Sequence, residues 1–412
     1  MNFPSCRFCR APLTVTFADL GMSPISNDFI PAEQAGAMEP FYPLHARVCS
    51  QCFLVQLDDI TRSESMFSNN YAYFSSYSDT WLAHARDYAA KMIAAERLGS
   101  DSLVVEIASN DGYLLQYFKS AEVPVLGVEP TANTARVAFE NHGIVSENAF
   151  FGHMAALALR ERGIRADLIA ANNVLAHVPD INDFVSGYPI ILKPSGVATV
   201  EFPHLLNLIE QGQFDTIYHE HYSYLSCGTV SRIFATHGMR VYHVEELSTH
   251  GGSLRLFICH DEADRRPSSP TVAAMLERER AAGLCEEKTY RRFGETIVQV
   301  KCDLLAFLIE ARREGKTVVG YGAPAKGNTL LNYCGIKPDL VRFTVDRSPH
   351  KVGRMLPGSR IPILPVDAIR EARPDYVLIL PWNLRQEIMA QMADIAAWGG
   401  RFVTAIPTLQ LY

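Results

Sequence analysis

The stretch VVEIASNDGYLL, residues 104–115, decides the fold. Four apolar-dominated positions end at Ile107. Small and polar residues follow through Gly112, and then Tyr-Leu-Leu opens an apolar pattern. This reads as a buried strand, a tight turn and the start of a helix. Outward from it, VPVLGVE (123–129), ADLIAAN (166–172) and GVATVEF (196–202) read as further short buried strands, with helical stretches between most of them. Alternating β and α implies a parallel sheet with helices on both faces. MRVYHVEEL (239–247) and SLRLFICH (253–260), joined by STHGG, read as an antiparallel hairpin at one edge of that sheet.

The flanks differ from this centre. Residues 1–70 are Pro-rich, poor in helical periodicity and too few to build an independent core without a staple. DEADRRPSSP (261–270) is polar and Pro-rich and marks a boundary. A long helical pattern follows through VQVKCDLLAFLIEA (298–311), and a second βα series begins: TVVGYGAPAKGNTLL (317–331), VRFTVD (341–346), DYVLILPW (375–382), RFVTAIP (401–407). The expected class is α/β, in three domains: 1–70, 71–260 and 261–412, with a second Rossmann-like unit over 315–412.

The 412 residues are 48% hydrophobic and 20% charged, ordinary for a globular chain, with a formal net charge of −7. No run of Lys and Arg is present to grip a phosphate backbone, so nucleic acid is excluded as a partner. The N-terminus MNFPSCRFCR has no basic stretch leading into an apolar run, and runs such as YVLIL (376–380) are far too short to span a bilayer. A cytoplasmic protein without a membrane partner is expected.

Four of the nine cysteines fall into two Cys-x-x-Cys pairs, Cys6/Cys9 and Cys49/Cys52. Two intervening residues let one turn bring both sulfurs to one ion, and two such turns complete a tetrahedral Zn²⁺ site. Four thiolates leave no open coordination position, so the expected zinc is structural. The other five, Cys227, Cys259, Cys285, Cys302 and Cys334, are scattered and read as core residues.

The turn at 108–112 carries the cofactor expectation. Glu106 ends the strand, and Asn110, Asp111 and Gly112 form the loop, where S-adenosylmethionine (SAM) enzymes need close backbone approach. An acid at the end of the second strand then meets the ribose hydroxyls, and GVEP supplies Glu129. An NAD fold uses the same acid, but its Gly-x-Gly-x-x-Gly fingerprint is interrupted here by Ala108 and Asn110.

Together, CRFC…CSQC, YAYFSSYSDTW, VEIASNDGYLL, NNVLAHVPD, YHEHYSYLS, HGGSLR and GYGAPAKGNTLL, in this order from residue 6 to about 330, resemble the sugar C-methyltransferases of deoxysugar biosynthesis. Ala108 departs from that pattern, which commonly has Gly. The resemblance implies a zinc-binding N-terminal domain, a central Rossmann-like SAM methyltransferase domain and a C-terminal Rossmann-like domain. It implies methylation at C3 or C5 of a 4-keto-deoxysugar linked to dTDP or to another nucleotide; C3, dTDP and a monomer are the preferred expectations, although the sequence itself fixes neither the carbon, the nucleotide nor the oligomeric state.

Such chemistry needs a base for the C–H beside the ketone, donors for the enolate oxygen and an in-line methyl group. Tyr218, Glu220 and His221 in YHEHYSYLS are the expected catalytic groups, with His221 the base by resemblance and His219 its rival. By residue pattern alone the cluster could also be a metal site or an exposed polar turn. His177 in NNVLAHVPD follows the fourth strand, at the ligand-binding end of the sheet, and Tyr77 lies just before the fold; both join the catalytic set. Asn172 and Asn173 complete the cofactor set. The expected substrate contacts are Tyr73, Tyr222, Gly322, Lys326, Asn328 and Asp346. Gly320, Gly322 and Asp346 also make a fair NAD fingerprint when read alone. An NAD-dependent oxidoreductase acting on a nucleotide sugar is therefore the rival reading, and a non-enzymatic zinc protein with two nucleotide folds is a third.

Overall fold

The computed structural model describes residues 3–58, 74–263 and 266–412. Its centre is a seven-stranded sheet. Five strands are parallel, in the order Leu192–Pro203, Ala166–Asn172, Val104–Ile107, Val125–Val128, Ser146–Glu147. The hairpin Met239–Leu247/Ser253–His260 adds two antiparallel strands beside Leu192–Pro203. All four residues of Val104–Ile107 are buried, as a strand covered on both faces requires. The helix Asp79–Glu96 shows how one cover forms: the Ser78 side chain accepts the Trp81 N–H as N-cap, Arg97 ends the helix in the left-handed region, and Trp81, Ala85, Tyr88, Ala89 and Met92 make the buried stripe.

The C-terminal unit is a six-stranded sheet in the order Ile363–Leu364, Thr344–Val345, Val318–Tyr321, Tyr376–Ile379, Arg401–Thr404, Gln410–Leu411, with only the last strand antiparallel. Both βα series read from the sequence are therefore present as parallel sheets.

The N-terminal lobe joins the two. Its sheet runs Val15–Ser23, Tyr42–Val48, Val55–Leu57, and its fourth strand is Ser223–Tyr224, lent by the central segment. On one side the lobe shares a hydrophobic core with the C-terminal unit. Phe17 stacks on Phe293 (4.6 Å, 5°) of the long helix Glu287–Arg313, whose buried Tyr290, Phe293, Ile297, Val300, Leu304 and Leu308 recur at helical spacing. On the other, Cys6, Leu13, Cys49, Cys52 and Leu54 pack into the core of the central sheet. A two-residue pairing of Ile30–Pro31 with Arg354–Met355 adds a further tie.

Beyond the Pro-rich boundary, the helix Pro270–Ala281 turns back onto the central unit. Its Glu279 carboxylate accepts from Cys227 N (2.6 Å), Gly228 N (2.9 Å) and His204 Nε2 (2.8 Å), capping the helix Cys227–Ala235 from outside its own chain segment. Cys227, Cys259 and Cys334 are buried as expected, but Cys285 and Cys302 are exposed. Cys285 falls in the turn between two helices, and Cys302 lies on the outer face of Glu287–Arg313, whose inner stripe is already filled by apolar residues. Among the described residues no helix is long and apolar enough to cross a membrane.

Removing Glu279 leaves the N–H groups at 227 and 228 and the His204 ring buried without their acceptor. Glu279→Ala is expected to destabilise the fold by roughly 3–5 kcal/mol, as for a broken buried pair, read as a lower urea midpoint of the central unit's unfolding.

Candidate active site

The four paired cysteines converge as their spacing predicts. Cys6 Sγ lies 3.5 Å from Cys52 Sγ and Cys9 Sγ 3.4 Å from Cys49 Sγ, with all four sulfurs within 4.8 Å of one another. A tetrahedron of sulfurs about 2.3 Å from a zinc ion has edges of about 3.8 Å, so the donor set fits that ion. Gln56 Nε2 donates to Cys6 Sγ (3.2 Å), and the same side chain accepts from Arg7 N (2.8 Å), which orients one ligand. The quartet does not line the cavity described next.

A cavity of about 940 Å³ opens where the three units meet. At one end the turn after Val104–Ile107 delivers Ala108, Asn110 and Tyr113 to it, and the next strand delivers Glu129. Glu129 Oε2 accepts from Asn110 N (2.8 Å), and Oε1 accepts from Thr131 N (2.8 Å) and from the Thr131 hydroxyl. Burial raises the carboxyl's pKa, and these donors oppose the shift. Asn172 and Asn173 complete the wall, each with a buried side-chain oxygen that meets no hydrogen-bond donor among the described residues. The turn is left-handed at Ala108 (φ 55°) and Asn110 (φ 49°). Asn tolerates that region, but Ala carries a cost of roughly 1–2 kcal/mol, which gives physical content to the family's preference for Gly at this position.

Three residues expected at this end lie outside the cavity lining. Glu106 is fully buried beneath it, where burial drives its pKa well above the usual carboxyl range while the Tyr113 phenol pulls the other way. Asp111 is buried and accepts from Ser76 N (3.1 Å) and Ser76 Oγ (2.5 Å), while Asn110 Oδ1 accepts from Ser75 N (2.9 Å), so the loop pins the segment that leads into Asp79–Glu96. Gly112 (φ 80°) is pressed against the helix Ala132–His142 and the residues just after it, where a Cβ would sit 2.8 Å from Ile144 Cδ1.

In the middle of the cavity the segment 218–224 divides its side chains. Tyr218, Glu220 and His221 line the cavity, with His177 beside them. His221 Nδ1–H donates to the Thr216 carbonyl (3.0 Å), which leaves Nε2 as the acceptor for the Tyr218 hydroxyl (2.7 Å). His177 Nδ1–H donates to the Glu220 carbonyl (2.8 Å), and its ring meets His221 edge-on at 4.7 Å. Burial lowers both imidazoles, His177 to about 4 and His221 well below 6.5, the second also through His177. Both are neutral at pH 7. Glu220 Oε1 accepts from Asn27 Nδ2 of the N-terminal lobe (2.7 Å).

His219 and Tyr222 point the other way. His219 Nε2–H donates to the Pro43 carbonyl (3.2 Å), and the Tyr222 ring lies under the Arg7 guanidinium (5.3 Å), both outside the cavity lining. The backbone explains the split: residues 218–221 form a turn, with His221 N bonded to Tyr218 O, and only 223–224 extend into the lobe's sheet. Tyr77 is exposed and stacks between Phe74 (5.4 Å) and His350 (6.4 Å). Tyr73 lies outside the described residues.

The C-terminal unit supplies Pro324, Ala325, Lys326 and Lys351 to the lining, and burial, aided by the Lys326 charge, lowers His221 and His250. Lys326 Nζ sits over the Trp382 ring (4.4 Å) and donates to Asn383 Oδ1 (2.8 Å). Gly322, Asn328 and Asp346 do not reach the cavity. Gly322 (φ 89°) lets the turn pass Pro381, Asn328 is fully buried in the helix Ala325–Cys334, and Asp346 caps its own loop by accepting from Ala323 N (2.7 Å) and Ser348 N (2.8 Å). Residue-type reasoning passed over Trp81, Thr131, His250 and Lys351, all in the lining. Trp81 and His250 lie inside quoted motifs, YAYFSSYSDTW and HGGSLR, and were legible there; Lys351 sits in no motif.

A doubly wound nucleotide sheet, a cysteine-stapled lobe and an acid–base cluster over the sheet's carboxyl end define a zinc-bearing methyltransferase. Family models agree: a methyltransferase domain matches residues 81–244, a putative zinc binding domain 6–67 and a C-methyltransferase C-terminal domain 248–407. The chain is 35% identical over 402 residues to the C-methyltransferase NovU of Streptomyces niveus, covering 98% of this chain and 95% of that one, and it belongs to that C-methyltransferase family. Two solved structures also resemble it. Magnesium protoporphyrin IX methyltransferase from Synechocystis PCC 6803 with bound SAH is 15% identical over 43% of this chain and 83% of its own (TM-score 0.35). The glycopeptide N-methyltransferase MtfA is 12% identical over 43% and 96% (TM-score 0.35).

Cys49→Ser is expected to lower zinc content and stability together, measured by elemental analysis and thermal melting. One zinc per chain at wild-type stability would contradict a structural four-cysteine site.

Proposed function

We propose that this enzyme transfers the methyl group of SAM to a carbon beside the ketone of a nucleotide-linked 4-keto-deoxysugar, at C3 rather than C5, with dTDP the nucleotide. The observation that carries the reading is a single cavity whose lining holds Glu129, the Tyr218–His221 pair, Lys326 and Lys351 together.

Glu129 offers its remaining lone pairs to ribose hydroxyls, and the backbone turn at 108–110 allows the cofactor close approach. Bound there, SAM supplies an electrophilic methyl group. Lys326 and Lys351 meet the diphosphate. Asp346, unlike Glu129, lies outside the cavity lining, which weakens the oxidoreductase alternative.

The protein's part is proton handling. The Thr216 carbonyl holds His221 in the tautomer whose Nε2 is basic, and burial keeps that ring unprotonated. With substrate in the cavity, Nε2 takes the proton from the carbon beside the ketone. The C–H electron pair becomes the enolate double bond, and the carbonyl π pair moves to oxygen. The Tyr218 hydroxyl turns from Nε2 to donate to that oxygen. Collapse of the enolate returns the carbonyl, and its carbon would take the methyl group that SAM supplies, the sulfur–methyl bond breaking with its electron pair left on the departing neutral thioether. His219, bonded to Pro43 outside the cavity, is not the base in this reading.

Glu129→Ala is expected to weaken SAM binding about tenfold or more, for a charged hydrogen bond of ~1.5–3 kcal/mol, by calorimetric titration. His221→Ala is expected to lower kcat by about 10²–10⁴-fold and to abolish exchange of the sugar proton in deuterated water without SAM. His219→Ala should retain both activities, and loss in His219→Ala alone would reverse the assignment. Because burial depresses His221, the wild-type pH–rate profile should show no inflection near the ordinary imidazole value of about 6.5.

A further inference from the structure

The zinc lobe does more than close on its own metal. Between the two cysteine pairs, Ile25, Asn27, Asp28, Phe29 and Tyr42 line the substrate side of the cavity. The flanks of this loop are fixed to the C-terminal unit. Ile30–Pro31 pairs with Arg354–Met355, Glu39 Oε1 accepts from Gly358 N (2.8 Å), and Arg360 donates to the Ala37 carbonyl (2.7 Å). Lys351 lies over the Phe29 ring at 5.3 Å. The loop thus presents Asn27, itself exposed in the cavity, to Glu220, which is only 7% exposed.

The Asn27–Glu220 contact spans 193 positions of sequence and two units of the fold. It is a neutral donor on one oxygen of a buried carboxyl group. We propose that Asn27 is a positioning residue that sets substrate specificity: it holds Glu220 with Oε1 occupied, so that Oε2 accepts a hydrogen bond from a donor substituent on the sugar ring, a hydroxyl or an ammonium. This rests on the keto-sugar reading above. Chemistry at the site supports it. Burial pushes Glu220 toward its protonated form, and the Asn27 amide is the group that opposes this, keeping an acceptor where an apolar wall would otherwise favour a neutral acid. The Glu220 main chain also holds His177 through its carbonyl, so the side chain's position is tied to the histidine pair.

Asn27→Asp is the informative variant, because it is isosteric and sits on an exposed loop. Two carboxyl groups in contact cannot both ionise easily and share one proton. The titratable groups that share the cavity lining with the pair include Asp28 on the same loop, His177, Tyr218 and His221 from the central unit, and Lys326 and Lys351 from the C-terminal unit, while His219 turns to the Pro43 carbonyl outside it. At about pH 6 a protonated carboxyl group at position 27 can donate to Glu220 as the native amide does. As the shared proton leaves on raising the pH to about 8.5, the donor is lost and KM for the sugar nucleotide should rise on the order of tenfold relative to wild type. Asn27→Ala should show a raised KM at every pH, and SAM affinity should stay flat in both variants.

Paired hydroxy- and amino-sugar substrates separate the two donor types, since the substrate whose KM follows residue 27 carries the group that Glu220 reads. An Asn27→Asp profile parallel to wild type, a variant KM that moves for neither substrate, or a matching loss of SAM affinity would each overturn the proposal. A wild type that turns over no nucleotide-linked keto-sugar at all would instead overturn the functional reading, and this proposal with it.

Discussion

Two main-chain pairings, Ser223 with Gln56 and Tyr224 with Val55, hold the active site together. They make a piece of the central unit the edge strand of the N-terminal sheet. A strand so anchored fixes the residues just before it, and the turn at 218–221 must then throw Tyr218, Glu220 and His221 to one side and His219 to the other. The Thr216 carbonyl then fixes the tautomer of His221. If the lobe did not hold Val55–Leu57 in place, the turn at 218–221 would have no register to inherit. The cysteine quartet and the base proposed at His221 are thus linked through backbone geometry and not through shared ligands.

The second organising feature is desolvation. The cavity gathers three histidines, His177, His221 and His250, and burial lowers all of them, so the site works with neutral imidazoles. Carboxyl groups are treated differently according to their neighbours. Glu201, buried beside His84 and Arg255, would be raised by burial, but His84 and Arg255 outweigh it and hold it below the usual range. Asp215, which accepts from the Trp382 indole (2.8 Å), is pushed up to about 6 by burial, with Lys326 opposing. Trp382 also lies beneath Lys326, so the Asp215–Trp382 bond aligns the C-terminal unit's cation with the central unit.

Much of the fold was legible because local rules decided it. The strands around 104–107, 125–128 and 166–172 are short apolar runs bounded by turn residues, and the cysteine pairs carry their own geometry. The candidate site was legible only in part. Glu129, His177, Tyr218, Glu220, His221 and Lys326, singled out by residue type and motif, line the cavity. Glu106, Asp111, Gly112, Tyr222, Gly322, Asn328 and Asp346 belong to the same motifs but serve the turns and packing that shape the cavity without lining it. A motif marks a stretch that must keep its shape; it does not distinguish residues that face the ligand from those that hold the stretch.

By itself, then, the sequence determined the two nucleotide sheets, the zinc quartet and the family, since each is written in spacing over a few tens of residues. Only the tertiary structure decided which histidine of 219 and 221 faces the cavity, that Asn27 reaches Glu220, and that Lys351 joins Lys326 in the lining. These depend on a turn whose alternation no periodicity predicts, and on contacts between segments far apart in the chain. Such contacts come from the cores that the lobe shares with both its neighbours, and a linear pattern carries no record of them.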